Sequence, residues 1–264
     1  MTNARSRTGL VSSIALGITL ARRGPLAVVS MAVSVLTAVA LGILALAMAR
    51  RGGDAPVHSM PVLASSAIVW GGGFLQAVAV SAGALRRDRT EGIRHLVLTR
   101  TTSLRGYLLA RVTGLASVLA AVSAGGTLFV SVVAIAVATQ THTVARTVHA
   151  TFSAVVYAVA FAIVIAPIAF AALGARTRVS GYAYLLLVLV LPEFLSTMLS
   201  GSLSSEVTEL CAVPSALAAL RSSIAPGTVD PLRLLRTLVA LAIFAGVAML
   251  FVRREVLRVE REDV

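Results

Sequence analysis

Between Arg86 and Arg111 the chain reads RRDRTEGIRHLVLTRTTSLRGYLLAR, seven arginines against Asp88 and Glu91. No charged residue occurs from Ala55 to Leu85 on one side or from Val112 to Ala145 on the other. A helix needs about 20 apolar residues to cross a hydrocarbon core of about 30 Å. Both flanks are long enough, so the basic stretch is a loop between two transmembrane helices, lying on the cytoplasmic side where arginine accumulates. The rest of the chain agrees: of 264 residues 13% are charged, and the mean hydropathy is +0.92. Soluble domains carry about twice that share of charge. Apolar runs of helical rather than strand length recur, which predicts an all-α integral membrane protein and excludes a barrel.

All 23 basic residues are arginine. Without lysine there is no G-x-x-x-x-G-K-[ST] phosphate loop, whose lysine must reach the β- and γ-phosphates. Lysine Schiff-base and general-base chemistry is excluded as well. The single cysteine, Cys211, permits neither an internal disulfide nor a cysteine-cluster metal site. The formal charge of +12 is gathered at the ends of apolar runs, where anionic lipid headgroups lie. That distribution suits membrane lipids as partners and not nucleic acid.

Along the chain, residues 1–23 set four arginines around apolar positions at helical spacing, either a cytoplasmic helix in the membrane interface or an unstructured basic flank. The transmembrane domain spans 24–252, with helices expected over 24–49, 62–85, 107–138, 149–173, 179–193 and 232–252. A cytoplasmic tail, 253–264, ends the chain. Trp70 is followed by Gly71, Gly72 and Gly73, small residues that let a neighbouring helix approach closely. The segment 194–231 holds two apolar clusters too short to span, expected as short outer re-entrant helices before the last span. With six spans both ends share one side. That side and its loops hold 17 arginines against six opposite, which predicts cytoplasmic termini and a cytoplasmic loop 86–111.

Chemistry-bearing residues are few. The four histidines fall in expected loops or helix ends, which speaks against axial haem ligation inside the bilayer. His142 and His149 have no carboxylate in their loop to complete a metal site, and no catalytic or metal-ligating set emerges. Glu193 is embedded in an apolar stretch. It is either an intramembrane acid on a substrate path or, if Pro192 ends the helix, an interfacial residue.

The loop resembles that of the membrane subunits of ABC-2 type transporters, also called type V ABC exporters, which include the NosY-like permeases. In that family an acid, a Gly-Thr pair, a leucine-rich turn, a Pro-x-Ser and a Tyr-Leu-Leu-Gly-Lys follow one another. Here they read Asp88, Glu91-Gly92-Ile93, Leu96-Val97-Leu98, Thr101-Thr102-Ser103 and Tyr107-Leu108-Leu109-Ala110-Arg111. Ile93 stands for the common threonine, Thr101 for proline and Arg111 for lysine. The resemblance implies a permease that pairs with a second permease copy and binds two separate ATPase subunits, which would hold the ATP and magnesium. It implies no cofactor in this chain. A coupling helix would lie within Thr90–Thr101, with Asp88, Glu91, Gly92, Ile93, Leu96, Val97 and Arg100 meeting the ATPase. Ile93, Leu96 and Val97 fall on one helical face, suited to a partner's groove.

The expected function is therefore ATP-driven export across a bacterial cytoplasmic membrane by the permease subunit, not itself an enzyme. A haem-exporter (CcmB-type) permease has a similar acid-glycine pattern. A secondary transporter or channel would need several membrane-embedded charges, and Glu193 stands nearly alone.

Overall fold

The computed structural model describes residues 14–50, 57–92, 104–138, 141–174, 178–199, 204–224 and 230–261. Among these there is no strand. Charge-free Ala-, Leu- and Val-rich runs can satisfy their backbone without water only by closing hydrogen bonds along a helix. Buried hydroxyls on those helices are absorbed the same way: Ser34 donates to the Ser30 carbonyl, Thr127 to Ser123, Ser131 to Thr127 and Thr147 to Thr143.

Among the described residues six helices are long and apolar enough to span a membrane. A short helix α1 (14–22) turns at Gly24, whose φ is 123°, into the first span, α2 (Pro25–Arg50). The second span is α3 (Met60–Ile68), a π-helical stretch (Val69–Gly73) and α4 (Phe74–Ser81), with α5 (Ala84–Thr90) following a break. The third and fourth spans are α6 (Leu104–Val137) and α7 (Thr141–Leu173). The fifth joins α8 (Arg178–Leu185) through a π-helical stretch (Leu186–Val190) to α9 (Leu191–Leu199). Two short helices, α10 (Ser205–Leu210) and α11 (Val213–Ser223), precede the last span, α12 (Pro231–Arg261).

The fourth span is the axis of the bundle. Its apolar window is 72% buried, against 22% for the fifth and sixth spans, and it packs against α3, α4, α6, α8, α11 and α12. Phe161, Ile165, Ile168, Phe170 and Leu173 of α7 are almost wholly enclosed. By contrast α2, the fifth span and α12 carry exposed Leu36, Ile43, Leu186, Met198, Ile243 and Leu250, as surfaces bathed in hydrocarbon require.

The Trp-Gly-Gly-Gly stretch is a point of close approach on two sides. A Cβ on Gly72 would lie 2.8 Å from the Ser34 nitrogen of α2, and one on Gly73 3.2 Å from Ser123 Oγ of α6.

Three expected boundaries move. The fourth helix begins at Thr141 and not at 149, because the largely polar THTVART stretch continues the helix beyond its apolar part. His149 therefore lies within α7, its Nε2 2.6 Å from the Ile224 carbonyl oxygen. The fifth helix does not stop at Pro192. The preceding π-helical turn shifts the hydrogen-bond register, so the missing proline N–H and its ring are accommodated. The sixth helix runs to Arg261, carrying the basic tail with it.

Candidate functional site

The described parts of the basic stretch are helical and held down at both ends. At the entry, Ala82 leaves the helix and Gly83 takes a φ of 66°, a left-handed conformation that favours glycine. The chain then starts α5 on the carbonyl end of α7: the Gly83 N–H donates to the Leu173 carbonyl at 2.9 Å and the Leu85 N–H to Gly174 at 3.1 Å. Orphan amides of one helix thus meet orphan carbonyls of another. A Cβ on Gly174 would crowd the Phe170 oxygen at 2.6 Å and Leu85 at 2.9 Å, so this seat admits no side chain there.

Helix α5 buries Ala84, Leu85 and Asp88 and exposes Arg86, Arg87 and Arg89. It ends at Gly92, with φ 68° and its N–H donating to the Arg89 carbonyl at 3.0 Å. A glycine at this left-handed helix end has a structural reason, independent of any contact it makes.

Asp88 points inward, toward the opening turns of α6. Tyr107 Oη donates to its Oδ2. Arg111 Nη2 donates to Oδ1 at 3.2 Å, and Arg111 Nε lies 2.8 Å from Oδ2. That second approach is close but not aligned as a hydrogen bond, so its attraction is chiefly coulombic. Tyr107 and Arg111, four residues apart, share one face of α6. The guanidinium also stands 5.8 Å from the Phe170 ring of α7, a cation–π contact. Two charges taken out of water are tolerated when paired and hydrogen-bonded in this way. The cluster therefore joins α5, α6 and α7 at one end of the bundle.

Helix α1 crosses α6 beside this cluster. A Cβ on Gly17 would lie 2.9 Å from the Ala110 carbonyl carbon, and one on Gly114 2.6 Å from Gly17 Cα. The crossing is glycine to glycine, backbone against backbone. Arg23, just after α1, comes within 4.0 Å of Glu91, but both are well exposed, so that pair holds little.

Of the residues expected at a partner contact, Asp88 is enclosed, Glu91 is exposed and Gly92 closes the end of α5. Ile93, Leu96, Val97 and Arg100 lie outside the described residues. Glu193 is far from this cluster in the chain and belongs to a separate one. Its carboxylate accepts from the Ser215 N–H at 3.2 Å and from Ser215 Oγ at 2.8 Å. Ser215 stands in the first turn of α11, whose own preceding residue, Ala212, offers no side-chain cap. Glu193 thus caps a neighbouring helix, where a negative charge is favoured by the helix dipole.

Sequence reasoning did not pair Asp88 with Tyr107 and Arg111. The signal was present as an acid followed by a Tyr-x-x-x-Arg pair across the loop. Among the described residues, no three of His, Cys, Asp or Glu gather into a metal-binding group. The chain matches no protein-family model, no curated protein and no solved structure.

Proposed function

We propose that this chain is the permease subunit of an ATP-driven ABC-2 type exporter, working as a pair of permeases with two separate ATPase subunits. In this reading the termini and the loop 86–111 face the cytoplasm of a bacterium. The observation that carries it is the meeting of three residues of the resembling motif, Asp88, Tyr107 and Arg111, in one buried cluster at the base of the loop. A partner that hydrolyses ATP in solution can act on the spans only through their cytoplasmic surface. Force on residues 91–103 would reach the second and third spans through that cluster, and the fourth through the Gly83–Leu173 and Leu85–Gly174 hydrogen bonds. Asp88 then positions the loop, and the contact itself is left to Glu91, Ile93, Leu96, Val97 and Arg100. Having no lysine, the chain depends on the partner for a phosphate loop.

Affinity purification of the chain from its native membrane should bring down a stoichiometric nucleotide-binding subunit. Replacing Ile93, Leu96 and Val97 together by Asp would bury charge in a desolvated contact, at several kcal/mol when unpaired. The triple variant should reach normal membrane levels yet lose the ATPase and all transport. No ATP-binding chain on the wild type overturns the exporter reading; a full complement on the triple variant overturns the place of the contact.

A further inference from the structure

At the end of the bundle away from the Asp88 cluster, a cavity of about 510 Å3 opens between α3, α7, α10, α11 and α12. That volume lies within the usual range for small-molecule sites. Two of its charged residues are spent on each other: Arg233 grips Glu209 with Nη2 at 2.5 Å and Nε at 3.0 Å. The third, Arg221, is differently placed. Among the described residues no carboxylate lies within 4.0 Å of it. Its Nη1 donates to Ser66 Oγ at 2.6 Å, and its guanidinium carbon stands 4.9 Å from the centre of the Tyr157 ring.

A guanidinium has five N–H donors and no acceptor. One is given to Ser66, and the positive charge is met by a ring face and a hydroxyl, neither of which neutralises it. The serines of the cavity have already spent their hydrogens: Ser153 donates to the Ala150 carbonyl, Ser222 to the Ala219 carbonyl and Ser215 to Glu193. They offer lone pairs to anything that enters. The wall therefore presents a cation in one place and hydrogen-bond acceptors around it.

The geometry points to a binding site for a phosphate-bearing polyol, its anionic group on Arg221 and its hydroxyls on the serine oxygens. This goes beyond the exporter reading and does not depend on it. A phosphoglycerol lipid headgroup and a soluble polyol phosphate share this chemistry. The protein carries its own reporter: its single tryptophan, Trp70, donates from Nε1 to Tyr157 Oη at 2.7 Å, and Tyr157 lies directly against Arg221.

The full chain in phosphatidylcholine nanodiscs is titrated with glycerol phosphate, and separately prepared with phosphatidylglycerol in increasing proportion. Trp70 emission and binding of radiolabelled probe are followed together. A saturable response to glycerol phosphate assigns a soluble ligand; a response to phosphatidylglycerol alone assigns a lipid headgroup. Arg221→Gln should weaken either by about tenfold or more, as loss of a charge-assisted bond does. Ser222 is exposed, so Ser222→Asp should fold normally while adding a negative charge to the cavity wall that repels an anion, and it too should weaken binding by about tenfold or more. Arg253→Gln, exposed on α12 well beyond the cavity, should bind as the wild type. Silence of the wild type to both probes, or binding that survives both Arg221→Gln and Ser222→Asp, overturns the assignment.

Discussion

Asp88 and Arg111 keep only 3% and 6% of their side-chain surface in contact with solvent, and that sets the sign of what substitution does. Attraction inside the pair is balanced against the loss of hydration of both ions, so the intact pair adds little net stability. Removing one member is different, because the other is left charged, buried and alone. Asp88→Ala should therefore destabilise by about 3–5 kcal/mol, read as a sharp fall in folded protein and in melting temperature in detergent. Arg111→Met alone should do the same. The combined variant Asp88→Leu, Tyr107→Phe, Arg111→Met removes the polar groups of all three side chains at once and should recover most of the lost stability. If Asp88→Ala melts like the wild type, the cluster is not what fastens the loop. If the triple variant is as unstable as the single ones, its contribution is specific hydrogen bonding and not relief of a stranded charge. Little of this was legible in the sequence. Asp88 stood out as a motif acid, but an exposed contact and a buried staple give the same residue at the same place. The difference lies in how α5 folds back on α6 and α7, which no local pattern records.

At the scale of elements, hydropathy located every span because a charge-free run of about 20 residues has few alternatives. It failed where helices ignore the apolar boundary. Residues 141–148 are polar yet helical, and Pro192 sits inside a helix because a π-helical turn precedes it. The capping of α11 by Glu193 joins residues 22 apart through tertiary structure alone, so no local pattern could reveal that contact. The N-terminal helix was readable from its spacing, but its partner was not, since a glycine in a span has many uses. Gly114 and Gly125 on the same helix separate those uses. A Cβ on Gly114 would meet the Gly17 backbone, with Cα at 2.6 Å and O at 2.7 Å, whereas one on Gly125 meets nothing within 4 Å. Alanine favours a helix over glycine by about 1 kcal/mol, so Gly125→Ala should be neutral or stabilising. Gly114→Ala should lose about 1–3 kcal/mol to overpacking and lower the melting temperature. Equal behaviour of the two variants would mean that α1 does not rest on α6.

For the whole molecule, the two ends of the bundle differ in what they hold fast. One end carries the enclosed Asp88–Arg111 pair, the α1 crossing and the α5 seat; the other carries the open cavity with the partly exposed Glu209–Arg233 pair in its wall, and outside that wall the partly exposed Glu206–Arg236 pair. The arginine distribution separates the same two ends, 17 against six. Positive charge is retained in the cytoplasm during insertion, so the end with the Asp88 cluster should face inward and the cavity outward. Arg86 and Ser204 report on this, being exposed at opposite ends of the bundle. Cys211 is itself exposed and is first replaced by Ser. A maleimide that cannot cross membranes, added to intact cells, should label Ser204→Cys at once and Arg86→Cys only after permeabilisation. The reverse pattern would invert the protein and put the cavity in the cytoplasm, and labelling of both from outside would break the six-span arrangement. Only the expected pattern leaves the basic loop within reach of an ATPase that works on cytoplasmic ATP.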